Sequence, residues 1–188
     1  MEKFTKLKPP QENKKDKLPL FSNDYMDIIE YEGWSIIKEN DFVVCVLYLI
    51  ELNQLIFRYE YIPTFKYAEG QEYHITVISG SVESGESKET SLIREIEEEA
   101  GIVIDPEFKI EFTRPFFISK GHSSKFHPAI ITLTEKDYHE VISNGDGSKA
   151  EKLSKSIKID AKYIDSIIPS DLITAFMILK VKEYLNME

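Results

Sequence analysis

The chain has 188 residues, enough for one domain with a sizeable core and too few for several. Its 42% hydrophobic and 12% aromatic content is that of a globular protein, and no apolar run reaches the roughly eighteen residues of a membrane span. A net charge of -10 argues against a general nucleic-acid binder, which carries a basic footprint, and a lone cysteine, Cys45, excludes an intramolecular disulfide.

In chain order, residues 1–23 are expected to form a flexible basic tail. Its lysines are not followed by the apolar core of a secretion signal, so the default expectation is a cytoplasmic protein. Order is expected to begin near Asp24, with one domain over 24–188. The segment DIIEYEGWSIIKEN reads as two short strands around Glu32 and Gly33. DFVVCVLYLI is a continuous apolar run, which suits a strand buried on both faces and makes Cys45 a small core residue. ELNQ then turns the chain into LIFRYEYI, closed by Pro63. A loop is expected over 65–71 and a strand over 73–79.

The next stretch, GSVESGESKETSLIREIEEEAGI, predicts a helix over 87–100. At about 100° per residue, Glu95, Glu98 and Glu99 fall within an arc of about 100°, while Leu92, Ile93, Ile96 and Ala100 form another face. Charge runs on helices are usually solvated faces. Three carboxylates on one arc repel each other unless a cation neutralises them, and a metal resolves that conflict. Magnesium prefers oxygen ligands, which suits glutamates at i, i+3 and i+4.

Beyond Gly101, FKIEFTRPFFIS and HPAIITLT read as further strands of a mixed sheet, separated by the loop KGHSSKF. The segment 135–156 is polar, with a turn signal at 144–147, and reads as an exposed insertion. IKI is a last strand and DAKYIDSI a helical turn. Ser170 is expected to cap a final helix whose inward side is Leu172, Ala175, Phe176, Leu179 and Val181.

The glutamate-rich stretch also matches a pattern at every defined position. Gly80, five residues, Glu86, seven residues, then Arg94, Glu95, Ile96, Glu97, Glu98, Glu99, Ala100, Gly101 and Ile102 resemble the Nudix box, G-x5-E-x7-R-E-U-x-E-E-x-G-U. The resemblance implies an α/β Nudix fold, an α/β/α sandwich with a central mixed sheet. It implies that Glu95, Glu98, Glu99 and the carbonyl of Gly80 bind Mg²⁺ or Mn²⁺, and that a Glu86–Arg94 ion pair holds the loop on the helix. Glu97, opposite the arc, is expected to face solvent.

Less specifically, the chain is similar to the ADP-ribose pyrophosphatase branch of that family from about residue 34 onward. LIFRYEYIP resembles that branch's strand ending in R-Q-Y-R, with Arg58 at the first arginine and Tyr61 at the second. FFISKGHSS resembles its S-P-G-x-S loop through Ser119 and Gly121, with Lys120 at the proline. The glutamate four residues before the box glycine is Thr76 here, and the acidic residue after the loop is Lys125. Candidate substrate contacts are Arg58, Arg114, His122 and Lys125. The implied reaction is metal-dependent hydrolysis of a nucleoside diphosphate linked to another moiety, such as ADP-ribose or a dinucleotide. The alternatives are hydrolysis of an RNA cap or a nucleoside triphosphate, and a non-catalytic nucleotide-binding module. A homodimer built on the apolar segment 24–62 is also expected. No membrane partner is expected, and no nucleic acid except a capped RNA end.

Overall fold

The computed structural model describes residues 19–142 and 149–186. Most of the expected tail and the turn expected at 144–147 lie outside the described residues. In chain order come β1 (Phe21–Ser22), β2 (Asp27–Tyr31), β3 (Trp34–Lys38), β4 (Phe42–Leu49), β5 (Gln54–Tyr61), α1 (Pro63–Glu69), β6 (Tyr73–Thr76), β7 (Ile78–Ser81) and α2 (Lys88–Glu95). After a π-helical turn (Ile96–Ala100) follow β8 (Ile102–Ile104), β9 (Phe116–Phe117), β10 (Lys125–Leu133), β11 (Tyr138–Glu140), α3 (Lys149–Leu153), β12 (Lys155–Asp160), a 3-10 turn (Ala161–Ser166) and α4 (Leu172–Leu185).

The central sheet runs β12-β5-β4-β10-β9, with β6 added to β5 and β7 to β4. Among the described strands only β4 and β10 pair in parallel, so the sheet is mixed, as the sequence suggests. Strand β4 shows why it lies at the centre. Alternate side chains of a strand point to opposite faces. Val43, Cys45 and Leu47 pack with Leu92 and Ile96 on one side, and Val44 and Val46 pack with Met177, Ile178 and Val181 on the other. Two helical layers thus cover the two faces, giving the expected α/β/α sandwich. Burial pushes the Cys45 thiol well above its usual pKa, followed by the charges of Glu99 and Glu95, so it stays a neutral core group.

The N-terminal strands form a separate antiparallel sheet, β1-β2-β3, and the first of them precedes Asp24. Its tight turn places Glu32 and Gly33 at positive φ (49° and 79°), the conformation that two-residue hairpins require. This sheet is tied to the main body where Ile37 N–H donates to the Gly121 carbonyl at 2.8 Å and Ser123 N–H donates to the Ile37 carbonyl at 2.9 Å.

Five expectations are corrected. The loop expected over 65–71 is helical in its first part, because Pro63 presets the first turn and Gly70, at φ 77°, ends the helix by donating to the Lys66 carbonyl. The single strand expected over 73–79 is two, since the chain leaves β5 after Thr76 and joins β4 from Ile78. FKIEFTRPFFIS supplies only β9 and an isolated bridge between Phe112 and Ala129. The last helix is capped by Asp171, which accepts from Thr174 N–H at 2.8 Å, while Ser170 instead meets His74 Nδ1 at 2.5 Å. Its buried residues are Thr174, Met177, Ile178 and Val181, an i, i+3, i+4, i+7 stripe, so Leu172 and Leu179 face outward.

Candidate active site

Strand β7 delivers Gly80 to the start of the glutamate-rich segment, and α2 then runs back across the sheet. Ser87 caps α2, its hydroxyl oxygen accepting from Thr90 N–H at 3.1 Å. Such a cap is worth about 1 kcal/mol. Leu92 and Ile96 are fully buried against the sheet and fix the rotation of the helix. The same rotation turns Glu95 and Glu99 toward β7 and β5, so both are 91% or more buried. Glu98 is half-buried, and Glu97 is exposed as expected.

Arg94 is the hub. Its Nε and Nη2 donate to the two oxygens of Glu86 at 3.4 and 3.3 Å, so the expected pair forms. The same guanidinium also donates to Glu95 Oε1 at 2.6 Å, to Glu98 Oε2 at 3.2 Å and to the Ser81 carbonyl at 3.1 Å. It therefore gathers two of the expected metal ligands directly, beyond bracing the loop. Burial disfavours the charge on Arg94, but Glu86 and Glu95 outweigh that effect and hold its pKa above the ordinary value. Glu86 is fixed further by the Ser91 hydroxyl, which donates to its Oε2 at 2.7 Å. That bond first, and Arg94 second, hold the Glu86 carboxyl below the usual range.

Gly80 has a local steric role. A Cβ there would lie 1.8 Å from the carboxyl carbon of Glu95, so that carboxylate rests directly on the glycine backbone. Glu99 is held on the opposite side. Ser79 N–H donates to its Oε2 at 2.9 Å, and Arg58 Nε lies 3.5 Å from its Oε1. Burial raises the Glu99 carboxyl well above the usual range, against the pull of the Arg58 guanidinium and the Ser79 N–H. The helix widens into a π turn at these residues and ends at Gly101, φ 64°. The carbonyl of Glu99 accepts from both Arg58 Nη1 and Ser156 Oγ, at 2.7 Å each.

Glu95, Glu98, Glu99, Arg94 and Gly80 share one cavity of about 790 Å³. Its wall also includes Glu60 of β5, and its rim includes Asp24, Tyr25 and Glu39. These residues were not singled out from the sequence. Glu60 alone left a signal there, since residues two apart on a strand share a face and Arg58 was already a candidate.

The four expected substrate contacts scatter. Arg58 is 2% exposed, and its guanidinium meets Glu99 inside the protein. Arg114 is exposed with its guanidinium 4.9 Å from the Phe116 ring, and Lys125 places its Nζ 5.0 Å from the Phe117 ring; neither lines the cavity. His122 comes nearest. Its Nδ1 meets Ser119 Oγ at 2.7 Å, and its Nε2 lies 3.9 Å from Glu39 on the rim.

Among the described residues, no three carboxylate, imidazole or thiol groups are already gathered as a metal shell, because arginines hold the glutamates. The donor set nevertheless fits a hard divalent cation, being composed of carboxylate and carbonyl oxygens around a backbone cradle that only glycine leaves open.

No protein-family model matches the chain, and no curated protein matches it. A solved structure described as the crystal structure of an ADP compounds hydrolase superposes with a TM-score of 0.63, covering 90% of this chain and 91% of that one. The fold is similar to that hydrolase's. At 16% identity the likeness carries the architecture alone. Among the described residues, no helix is long and apolar enough to cross a membrane.

Proposed function

We propose that this chain is a Nudix hydrolase that splits a nucleoside diphosphate linked to another moiety, ADP-ribose or a dinucleotide, with Mg²⁺ or Mn²⁺. The observation that carries this reading is the complete box, of which Glu95, Glu98 and Glu99 line one cavity while Arg94 ties Glu86 to Glu95 and Glu98. The similarity of the fold to an ADP compounds hydrolase supports it.

The residues that would hold the cation are Glu95, Glu98 and Glu99 with the Gly80 carbonyl. When bound, it supplies screening of the diphosphate charge and makes water acidic enough to attack near neutral pH. The chain's own part is positioning. Arg94 keeps Glu95 and Glu98 on the cavity wall, and the backbone N–H of Ser79 keeps Glu99 there. Water oxygen bonds to one phosphorus, the bridging P–O bond breaks, and the bridging oxygen leaves on the second phosphate. The products are a nucleoside monophosphate and a phosphorylated remainder. The cavity itself is acidic, so it repels a bare diphosphate, and the reading therefore requires a divalent cation.

A panel of nucleotide substrates with Mg²⁺ and with Mn²⁺, its products identified by mass, tests the proposal. The expected result is a nucleoside monophosphate from ADP-ribose or a dinucleotide. Cleavage of capped RNA or nucleoside triphosphates alone would move the substrate class, and binding without cleavage of any member would overturn the enzymatic reading.

A further inference from the structure

We propose that Glu60, which lies outside the box, is a fourth carboxylate of the cation site, oriented for that role by the hydroxyl of Thr76. The inference rests on the preceding reading of the helix glutamates as cation ligands and adds a residue from a different element. Glu60 and Arg58 are two apart on β5 and so share a face of the strand. Arg58 uses that face to reach Glu99, through both its side chain and its carbonyl. Glu60 continues the same row outward, onto the wall of the cavity that holds Glu95, Glu98 and Glu99.

The neighbouring strand fixes its direction. Thr76 stands opposite Arg58 in the β5–β6 register, and its Oγ1 donates to Glu60 Oε2 at 2.7 Å. Thr76 is itself buried, at 7% exposure, so the hydroxyl is a fixed donor. One such bond restricts the carboxylate to a single orientation and leaves its other oxygen to accept or ligate.

Manganese titration of the full chain, followed by the paramagnetic resonance of free Mn²⁺, reads the role without relying on turnover. Glu60→Gln keeps the volume and the acceptor for Thr76 while removing the charge, and it should weaken Mn²⁺ binding by about tenfold or more with Tm unchanged. Thr76→Val should weaken binding in the same direction by less. Glu97→Gln, on the solvent side of the helix, should bind like wild type. If Glu98→Gln weakens Mn²⁺ binding and both Glu60→Gln and Thr76→Val bind as wild type, Glu60 is not part of the site and the inference falls while the functional reading stands. If the wild-type chain takes up no Mn²⁺, the functional reading fails and carries this inference with it.

Discussion

Two adjacent glutamates of the helix have different surroundings, and the consequences of replacing them should differ. Glu98 is about one-third exposed, whereas the Glu99 side chain is 7% exposed and faces a guanidinium that is 2% exposed. Glu98→Gln is expected to lower kcat by about a hundredfold or more with little change in Tm, as the loss of a charged cation ligand would. Glu99→Gln should lower activity and also stability, because it breaks the buried contact between the Glu99 carboxyl and the Arg58 guanidinium. Breaking a buried pair costs about 3 kcal/mol. Urea unfolding of the two variants separates them; equal midpoints would contradict the buried role of Glu99. Glu86 makes a pH prediction. Its folded carboxyl titrates below the ordinary value of about 4.3, so folding releases protons there as pH falls through that value. The stability contributed is complete above the ordinary value and is lost as pH falls through the lower folded one. Urea midpoints measured from about pH 6 down to about pH 3 should fall less steeply for Glu86→Gln than for wild type, and parallel curves would refute the depressed value.

At the scale of elements, the site is a contact between the end of β7 and the last turn of α2 with the π turn that follows, held by a glycine and an arginine. The atom that a Cβ on Gly80 would strike belongs to the movable end of Glu95. Gly80→Ala should therefore displace the carboxylate at little cost in stability. The expected outcome is a kcat down about tenfold or more with Tm kept within a few degrees, measured on the same preparation. Full activity would mean that Glu95 need not rest on the backbone. Arg94→Ala should behave differently. It releases three carboxylates and the Ser81 carbonyl at once, so activity falls and Tm drops by roughly 2–8 °C, the equivalent of about 1–2 kcal/mol in a chain of this size. Calorimetry showing no change in Tm would count against Arg94 as the brace of this turn.

For the molecule as a whole, the structure narrows where the dimer expected from the sequence could form. Most of β4 and β5 is interior to the sandwich, so the apolar residues of 43–49 and 55–57 are already used. Of the exposed hydrophobic residues left in the 24–62 segment, Ile50 and Leu52 lie in the β4–β5 turn and Tyr59 on β5, whereas Tyr25, Tyr31 and Trp34 belong to the N-terminal strands and their connections, with Phe21 beside them. We propose that the expected dimer uses the N-terminal sheet, whose neighbouring Tyr25 also lines the cavity. Light scattering at micromolar concentration should then give twice the mass of one chain, and Trp34→Ser should shift it toward the monomer. A monomeric mass for the wild type would sink the proposal.

The sequence by itself determined whatever depends on short range. Helical period alone assigned Leu92 and Ile96 to the core, Glu97 to solvent and the other three glutamates to one arc, and the resemblance to the Nudix box anticipated the contact of Glu86 with Arg94. The unbroken apolar run of β4 announced a strand covered on both faces. Tertiary structure decided the rest, because strand pairing joins residues far apart in the chain whose mutual position no local period encodes. It turned Arg58 inward to Glu99, 41 positions away, where the sequence suggested a phosphate contact. It broke 73–79 in two by changing the pairing partner at Val77, and it chose which side of an almost uniformly apolar α4 would face the sheet. It also brought Glu60 to the wall of the carboxylate cavity and the buried hydroxyl of Thr76 to Glu60, because the β5–β6 register sets Thr76 opposite Arg58 and so within reach of Glu60, two residues along the same face.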